Sequence, residues 1–445
     1  MASVLLIYPY FHNPRKKTIF RFPPLGIGYV AAALRRAGHE VRLLDCTFME
    51  RNLALHAARR AGADIIGISS MMTLREESLN FARGLRNHCG LLVAGGPLPS
   101  SSPDAFIQDF DVVVRGEGEQ AMLEITNAYE HGSDFSSIPG IVYRSGGATA
   151  PRPLTRHLDA IPFPARDLLP NKDYIDFYRK RFGNATTSVI TTRGCPFSCE
   201  FCSNAIFSSS FRERSPANVL DEVEQALSLG YDRIHFADDV FTLRKERVLE
   251  VCLEIEARKL KFTWECLGRV DSIDPDLAGA MKKAGCDRIF FGIESGNDSV
   301  LKLMNKNITV AKARTAVTAA HNAGIRVGAF FILCYPGETT DTVLKTLRFA
   351  TSLPLDYLSF TVPYPLPGTA LYRRVQGRMT REWRQDSHVT DHSLTYDADF
   401  SEARMRFAIL KGQAQFGIKK RLGRYAEPMV KPFETTTDFI FRIMP

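Results

Sequence analysis

Long apolar runs are missing from this chain of 445 residues. No stretch reaches the roughly 18 consecutive apolar residues that a membrane-spanning helix needs. The first residues, Met1 to Tyr8, have no basic flank and too short an apolar stretch for a signal peptide. The sequence therefore predicts a cytoplasmic protein without a transmembrane segment.

Cysteine is too sparse and too unevenly placed for a disulfide framework. Of the nine cysteines, three lie close together and the others are scattered, which suits a reducing compartment. The net charge of +8 is mildly basic, and Lys and Arg are spread along the chain, with the densest groups at Arg15–Lys17 and Lys419–Arg421. We therefore expect no nucleic-acid partner, because such proteins concentrate their basic charge on one surface.

The three clustered cysteines have no fourth ligand nearby. Cys195, Cys199 and Cys202 follow a β-like run at 188–192 with C-x-x-x-C-x-x-C spacing, and the next cysteine is Cys252, in a helical pattern. Thiolates bind zinc, copper(I) or iron–sulfur clusters, and a closed zinc site needs four ligands. Three thiolates on a cubane cluster leave one iron open to a small molecule. A zinc knuckle or a redox set of thiols is the alternative.

Residues 1 to about 150 alternate predicted strands and helices, which indicates an open, parallel, Rossmann-like α/β sheet. Ligands of such sheets bind beyond the carboxyl ends of the strands, where glycine lets the backbone approach a ligand closely. No G-x-G-x-x-G follows the first strand, so the sequence gives little support to nicotinamide binding. The residues at the predicted strand ends are Ser69, Ser70, Gly95, Gly96, Gly116, Glu117 and Glu119.

The rest of the chain divides at prolines. Residues 151–185 contain Pro151, Pro153, Pro162 and Pro164 and are predicted to be a linker. Residues 186–370 repeat a strand and a helix six times, which predicts an incomplete barrel related to the eight-stranded (β/α) barrel. Residues 371–445 are predicted to be mostly helical, with aromatic side chains that cover the substrate site or pack on the barrel: Trp383, Tyr396, Phe407 and Phe416.

The polar motifs of residues 186–370 fall at the predicted carboxyl ends of the strands, where such barrels have their active sites. The cysteines follow the first strand, Asp238 and Asp239 end the second, Arg269 ends the third and Glu294 the fourth. Each has an ordinary explanation alone, such as a helix N-cap for the aspartates and a surface turn for the glutamate. Together they predict one binding site, in which the Arg269 guanidinium suits a carboxylate.

Cys195, Cys199 and Cys202, with the aromatic Phe201 before the last cysteine, resemble the radical S-adenosylmethionine (SAM) signature. In that family the open iron of a [4Fe–4S] cluster chelates the amino and carboxylate groups of SAM, and an electron from the cluster cleaves SAM to a 5′-deoxyadenosyl radical. The resemblance implies that Asp238 or Asp239 binds the SAM amine, that Arg269 binds its carboxylate, and that Glu294 lies near its ribose. The family's usual Gly-Gly-Glu is Ala-Asp-Asp here.

Residues 1–150 resemble the cobalamin-binding domain that precedes many radical SAM domains. The resemblance rests on Pro23–Gly26, Gly67–Ser70, Gly95–Pro97 and Gly116–Glu119. The D-x-H-x-x-G motif that supplies a cobalt ligand in other cobalamin proteins is absent, so the lower face of cobalt would lie near Met71, Met72 or Thr73 without a histidine. A Rossmann-like domain without cofactor is the alternative. The implied cobalamin-binding residues are Leu25, Gly26, Ser69, Ser70, Met71, Gly95, Gly96, Gly116, Glu117 and Glu119.

The two resemblances cover residues 1 to about 370 and together imply a cobalamin-dependent radical SAM methyltransferase. One SAM would methylate cob(I)alamin, and a radical from a second SAM would activate an unactivated carbon to take the methyl group from methylcobalamin. The implied partners are a small-molecule, lipid or peptide substrate and a flavodoxin- or ferredoxin-like electron donor.

Three alternatives stay open for the activity. The first is a rearrangement or cyclisation with the same cofactors and no methyl transfer. The second is a tRNA methylthiotransferase, which is disfavoured because residues 1–150 hold only Cys46 and Cys89, too few for that family's second cluster. The third is a non-catalytic cobalamin-binding protein, which the intact cysteine set disfavours.

Overall fold

The computed structural model describes residues 1–11, 21–203, 210–380, 395–423 and 427–445. The basic group Arg15–Lys17 and the aromatic Trp383 lie outside the described residues. The chain divides into two compact units. The first consists of Met1–Val189, Arg212–Asn218 and Glu222–Arg233, and the second of Ile190–Phe211, Val219–Asp221 and Ile234–Pro445.

The first unit is built on a seven-stranded sheet of order β2-β1-β3-β4-β5-β6-β7. The strands β1 to β5 pair in parallel, and β6 and β7 form an antiparallel hairpin at the β5 edge. The parallel part confirms the predicted Rossmann-like sheet, whereas the hairpin was not predicted because its strands have three and two residues. The bounds are β1 Ser3–Tyr8, β2 Glu40–Asp45, β3 Ile65–Ser69, β4 Leu91–Gly95, β5 Val112–Val114, β6 Ile141–Tyr143 and β7 Gly147–Ala148.

Helices follow the parallel strands of this sheet. The inner strands are apolar on both faces, as expected for a parallel sheet covered by helices on both sides. Leu6 of β1 is 3% exposed, and Ile65 and Ile66 of β3 are fully buried. The helices are Leu25–Arg36, Arg51–Arg60, Arg75–Leu85, Pro97–Ser101 and Gly118–His131. The order β2-β1-β3 means that the connections change direction between β1 and β3, which is where ligands bind in doubly wound sheets.

The proline-rich segment after this sheet belongs to the first unit. Its helix Asn171–Phe182 is fixed by Tyr174, whose hydroxyl donates to Asp45 Oδ2 at 2.6 Å and lies 3.0 Å from Thr47 Oγ1. The Tyr174 ring also packs edge-on against Phe48. The end of β2 and this helix therefore share a buried polar contact.

A buried ion network fixes the start of the same segment. The side chain of Glu222 is fully buried and accepts hydrogen bonds from Arg166, at 2.5 Å, and from Arg214. Arg166 is 1% exposed and also donates to Thr187 Oγ1 at 3.1 Å and to the Ser188 carbonyl at 2.7 Å. Buried charges persist only when they are paired and hydrogen-bonded, and these are.

The second sheet has six strands in the order β15-β14-β13-β12-β11-β8. The strands from β12 to β15 pair in parallel, and β15 and β8 are edges, so the sheet stays open as predicted for an incomplete barrel. Each predicted strand is present. The bounds are β8 Thr186–Val189, β11 Arg233–Phe236, β12 Thr263–Gly268, β13 Cys286–Glu294, β14 Arg326–Ile332 and β15 Tyr357–Thr361, while β9 Thr192–Arg193 and β10 Arg212–Glu213 form a separate two-stranded sheet.

Helices alternate with these strands and continue to the end of the chain. The alternating helices are Pro216–Ser228, Lys245–Ala257, Pro275–Lys283, Asp298–Leu303, Val310–Asn322 and Thr340–Ser352. The C-terminal region is mostly helical, as predicted, with Ala370–Val375, Glu402–Leu422 and Glu427–Ile443. In the described part of the chain, every helix is too short or too polar to cross a membrane.

Candidate functional site

The three clustered cysteines lie in a loop directly after β9. Cys195 and Cys199 are each 8% exposed, and Cys202 is half-buried. Burial raises the pKa of the Cys195 thiol, whereas coordination to a metal would deprotonate it. No three His, Cys, Asp or Glu side chains of the described ranges surround a single ion position. A mononuclear zinc site requires such convergence, whereas the thiolates of a cubane bind three different irons.

Side chains from the second unit hold this loop at several points. The guanidinium carbon of Arg269 lies 3.5 Å from the centroid of the Phe197 ring, a cation–π contact. Asn305 donates its amide to the Ser198 carbonyl at 2.8 Å and lies 3.0 Å from Ser198 Oγ. Phe201 packs against a buried apolar cluster of the same unit. These contacts fix the position of the loop from several sides.

Glu200 is held by hydrogen bonds of both its backbone and its side chain. Its backbone N–H donates to the Met304 carbonyl at 3.0 Å, and its carbonyl accepts from the Leu371 N–H at 2.9 Å. Its carboxylate Oε2 accepts from the Tyr335 hydroxyl at 2.9 Å and from Arg374 Nη1 at 3.0 Å. Helix Ala370–Val375, beyond the last strand, thus contacts the cysteine loop directly.

The two predicted amine ligands differ sharply in their surroundings. Asp238 is 2% exposed, and its Oδ1 accepts the backbone N–H groups of Thr191 at 2.6 Å and Thr192 at 3.0 Å, while its Oδ2 accepts the Thr191 hydroxyl. Asp239 is exposed. Burial is the largest cause of the raised pKa of the Cys195 thiol, and the negative charge of Asp239 adds to it. An effect of this kind is expected of a carboxylate that lies near the cysteine loop.

Arg269 lies at the end of β12, where it was predicted to bind a carboxylate, and it is 4% exposed. Its Nε and Nη2 donate to Asp271 at 3.0 Å each, and Nη2 also donates to the Lys306 carbonyl at 3.2 Å. Asp271 thereby fixes the orientation of the guanidinium. Nη1 makes no hydrogen bond to any residue that the structure describes, so its two N–H groups can serve a ligand.

Glu294 ends β13 in an unusual backbone conformation. The pairing with β14 shifts register between Gly292 and Glu294, and Glu294 has φ +71°. A left-handed backbone is uncommon for residues other than glycine and is often found at functional sites. The Glu294 carboxylate is 3.2 Å from Lys306 Nζ and is nearly buried, and a Cβ on Gly292 would lie 2.5 Å from its Oε1.

In the first unit, the ends of β3 and β4 form a tight backbone junction. The Ser70 N–H donates to the Gly95 carbonyl at 2.8 Å, and the Ser70 carbonyl accepts from the Leu98 N–H at 3.3 Å. Gly96 has φ +104°, and a Cβ there would lie 2.6 Å from the Ser70 oxygen. Only glycine fits at Gly96, because both its conformation and its contact exclude a side chain.

Ser100 connects this junction to the end of β5. Its hydroxyl lies 2.8 Å from the Gly96 carbonyl, and it accepts the Gly116 N–H at 3.0 Å. Sequence reasoning did not select this serine, because a Pro-Leu-Pro-Ser-Ser stretch has the composition of an ordinary turn.

Three of the predicted cobalamin-binding glycines face open space. A Cβ on Gly26, Gly95 or Gly116 would meet no heavy atom within 4 Å among the described residues, apart from the immediate chain neighbours. Gly26 lies in the first turn of helix Leu25–Arg36, and the other two end or follow adjacent strands. A cradle lined by bare backbone suits a large planar cofactor, so the residues present fit cobalamin.

The Glu117 carboxylate has partners within the first unit. Its Oε1 pairs with Arg212 Nη1 at 2.7 Å and its Oε2 accepts the Thr155 N–H at 2.8 Å. These contacts fasten the segment after the sheet. The other predicted residues stay near the strand ends: Leu25 is buried at the start of its helix, Ser69 ends β3, Met71 follows it half-buried, and Glu119 lies in the first turn of helix Gly118–His131.

Comparison with known proteins agrees with this organisation. Residues 189–350 match the Radical SAM superfamily, and residues 17–126 match the B12 binding domain. An uncharacterized methyltransferase of Pyrococcus horikoshii is 32% identical in an alignment of length 401 that covers 86% of each chain. The anaerobic magnesium-protoporphyrin IX monomethyl ester cyclase of Cereibacter sphaeroides is 28% identical over 95% of this chain and 71% of its own.

Among solved structures, the cobalamin-dependent S-adenosylmethionine radical enzyme OxsB, with aqua-cobalamin and SAM bound, has the same fold. It superposes with a TM-score of 0.79 at 18% identity and covers 99% of this chain and 72% of its own. The fold and the two family matches define a radical SAM enzyme with an N-terminal cobalamin-binding domain. The chain belongs to the cobalamin-dependent radical SAM methyltransferase family, which confirms the predicted activity class and its cofactors, a [4Fe–4S] cluster, SAM and cobalamin.

Proposed function

We propose that this enzyme transfers a methyl group from SAM to an unactivated carbon of a small-molecule substrate, with lipids and peptides as the wider substrate classes. The observation that carries the proposal is the fixed cysteine loop, with Asp239, Arg269 and Glu294 at successive strand ends of the same unit. Active sites of (β/α) barrels are built at these ends.

We assign Cys195, Cys199 and Cys202 as the cluster ligands. For SAM, we propose that the exposed Asp239 binds the amine, while Asp238 fixes the strand end before the loop through Thr191. When bound, the cluster supplies the electron that cleaves SAM and cobalamin carries the methyl group, so the hard chemistry belongs to the cofactors.

The remaining SAM contacts are proposed for Arg269 and Glu294. The Nη1 donors of Arg269 are directed by its pairing with Asp271 and would bind the SAM carboxylate. The Glu294 carboxylate, held beside Lys306 Nζ at 3.2 Å, would accept a ribose hydroxyl. Phe201 supports the loop from below by packing on the apolar cluster.

For cobalamin, we propose binding at the bare backbone of Gly26, Gly95 and Gly116, where Gly96, Ser69, Ser70, Leu25 and Met71 would line the cofactor. Supporting this proposal, a Cβ at those three glycines would point into open space among the described residues. Glu117 is proposed to hold the loop after β5, since its carboxylate is bonded to Arg212 and Thr155. Glu119, in the first turn of helix Gly118–His131, is proposed to contribute to the same site.

We also propose a domain organisation, an electron donor and a cellular location for the enzyme. The cobalamin-binding domain is proposed to span residues 1–150, the linker 151–185, the barrel 186–370 and the C-terminal region 371–445. A flavodoxin- or ferredoxin-like protein is the proposed electron donor. A reducing, cytoplasmic location is proposed because it is compatible with an iron–sulfur cluster and because the nine cysteines are too unevenly placed for a disulfide framework.

A second reaction is favoured by one observation, the 28% identity over 95% of this chain to a cyclase. Cyclisation without methyl transfer would use the same cofactors. The two reactions differ in product mass, because a methyl group replacing hydrogen adds about 14 Da.

The test is an anaerobic incubation of the reconstituted enzyme with a small-molecule extract, a reductant and SAM carrying a trideuterated methyl group. Methyl transfer predicts a product about 17 Da heavier than its precursor, or about 14 Da with unlabelled SAM, together with 5′-deoxyadenosine. A product without the label, accompanied by 5′-deoxyadenosine, would instead establish a rearrangement or cyclisation. A Cys199→Ala variant controls for reactions of the extract.

A further inference from the structure

Glu200 carries the only acidic side chain within the Cys195–Cys202 loop, between two of the proposed cluster ligands. Its carboxylate receives two donors from different elements, the Tyr335 hydroxyl at 2.9 Å and Arg374 Nη1 at 3.0 Å. Tyr335 is fully buried, and the Glu200 and Arg374 side chains are 24% and 33% exposed. The ion pair is thus partly shielded, so its charges act more strongly than on an open surface.

The side-chain contacts are additional to backbone contacts that already fix Glu200. The Met304 carbonyl accepts the Glu200 N–H, and the Leu371 N–H donates to the Glu200 carbonyl. These bonds hold the loop whatever side chain is present at this position. The Glu200–Arg374 ion pair is therefore not required to set the backbone path of the loop.

We propose that the Glu200–Arg374 ion pair is a positioning and charge-balancing device that sets the reduction potential of the [4Fe–4S] cluster from the C-terminal region. Reduction potentials of such clusters depend on nearby net charge, hydrogen bonds and solvent exposure. The carboxylate disfavours an added electron and the guanidinium favours it, so the pair holds both effects in balance. The inference rests on the proposed cluster ligands and gives the C-terminal region, through helix Ala370–Val375, a role at the radical centre.

The experiment is a double-variant cycle on the reconstituted holoenzyme. Glu200→Gln, Arg374→Gln and the combined variant are titrated with redox dyes while the cluster signal is followed by electron paramagnetic resonance. Glu200→Gln leaves the guanidinium unbalanced and raises the potential, whereas Arg374→Gln leaves the carboxylate unbalanced and lowers it. The combined variant returns near the wild-type value. We expect each single change to shift the reduction equilibrium about tenfold, or about 59 mV for a one-electron couple.

Three further variants separate the effect of charge from those of folding and of a single hydrogen bond. Arg374→Lys keeps the charge and is expected to keep the wild-type potential. Arg373→Gln removes an equal charge from the neighbouring residue, whose Nη1 donates to the Gly368 carbonyl at 2.9 Å, and is expected to shift the potential by less than a third as much. Tyr335→Phe keeps the ion pair and removes one hydrogen bond, so a smaller fall in potential is expected.

Iron content and thermal stability of each variant are measured alongside the potential. Opposite shifts for the two single variants, cancelled in the combined one, support the proposal. Shifts of the same sign, unchanged potentials, or equal effects of Arg373→Gln and Arg374→Gln overturn it. If Glu200→Gln fails to hold iron, the comparison of Arg374→Gln with Arg374→Lys decides alone, and equal potentials for these two overturn the proposal. Failure of the wild type to hold a cluster would instead refute the proposed function.

Discussion

The carboxylate of Asp238 accepts the backbone N–H of Thr191 at 2.6 Å, and this contact fixes the chain immediately before the cysteine loop. Burial raises the pKa of Asp238, while the hydrogen bonds from Thr191 oppose the shift. Both carboxylate oxygens accept donors from Thr191 or Thr192, directly before the cysteine loop. The role of this residue is therefore different from that of its neighbour Asp239.

We expect Asp238→Asn to lower the unfolding free energy by about 1–3 kcal/mol, because a neutral amide oxygen accepts the buried Thr191 and Thr192 N–H groups more weakly than a carboxylate does. Iron binding falls with it, since the loop loses its anchor at Thr191. Urea denaturation of the apoprotein and iron analysis after reconstitution measure both effects.

Asp239→Asn is the matched control. It is expected to fold and hold iron normally but to weaken SAM binding at least tenfold, which is read from the SAM-induced change in the cluster spectrum. An Asp238→Asn protein with wild-type stability and iron content would contradict the anchoring role.

The buried carboxyl group of Glu338 is expected to make the unfolding free energy of the protein depend on pH. Burial raises the pKa of its carboxyl from the ordinary 4.5 to about 7, although the Tyr335 N–H at 2.9 Å and the Thr342 hydroxyl at 3.2 Å oppose the shift. The folded state therefore binds this proton more tightly than the unfolded state. The unfolding free energy should fall as pH rises from about 4.5 to about 7, by roughly 3 kcal/mol, and then level off.

Urea denaturation of the apoprotein at several pH values measures this fall. Glu338→Gln cannot titrate, so its stability should lack this component and differ from wild type in slope between pH 5 and pH 7. Parallel pH profiles for the two proteins would show that Glu338 does not titrate in this range.

The same substitution to alanine is expected to have different effects at Gly95 and at Gly96. Gly95→Ala places a methyl group in open space, so the unfolding free energy of the apoprotein should stay within about 0.5 kcal/mol of wild type. Cobalamin affinity, measured by absorbance titration, should fall at least tenfold because the methyl group occupies the proposed cradle.

Gly96→Ala should destabilise the apoprotein itself by about 1–3 kcal/mol, since a Cβ there meets the Ser70 oxygen at 2.6 Å on a backbone with φ +104°. Undiminished cobalamin affinity in Gly95→Ala would place the cofactor elsewhere.

The buried pair Arg166 and Glu222 predicts a large loss of stability in the first unit. Glu222→Gln leaves two arginines buried beside a neutral amide and should cost about 3–5 kcal/mol. The exposed pair Lys172 and Asp176, 3.5 Å apart, provides the control, and Asp176→Asn should change stability by less than about 0.5 kcal/mol. Similar losses in both variants would contradict the difference in burial.

The strands and helices could be predicted because their periodicity is local. The run Ile65–Ser69 is apolar throughout, as a strand covered on both faces must be, and it forms β3. The cysteine spacing likewise needed no tertiary information. The hairpin Ile141–Tyr143 and Gly147–Ala148 was missed because so short a segment has no period to detect.

The hydrogen-bond partners and the burial of individual carboxylates could not be predicted, because the residues that contact them are distant in sequence. Asp238 is bonded by Thr191, 47 residues earlier, and Glu117 by Arg212, 95 residues later. The cysteine spacing alone does not single out Glu200, although an acidic residue inside a metal-binding loop is itself a sequence signal. Asn305 also holds the cysteine loop. It adopts a left-handed backbone, with φ +51°, which asparagine tolerates better than most residues.

The measurement that tests the central claim most directly is anaerobic reconstitution with iron, sulfide and cobalamin, followed by electron paramagnetic resonance with SAM and a reductant. The account predicts a [4Fe–4S] signal that shifts when SAM is added, bound cobalamin, and 5′-deoxyadenosine among the products, with all cluster-dependent signals lost in Cys202→Ala. A wild-type protein that binds iron and sulfide without a SAM-dependent shift, or that retains no cobalamin, would contradict it.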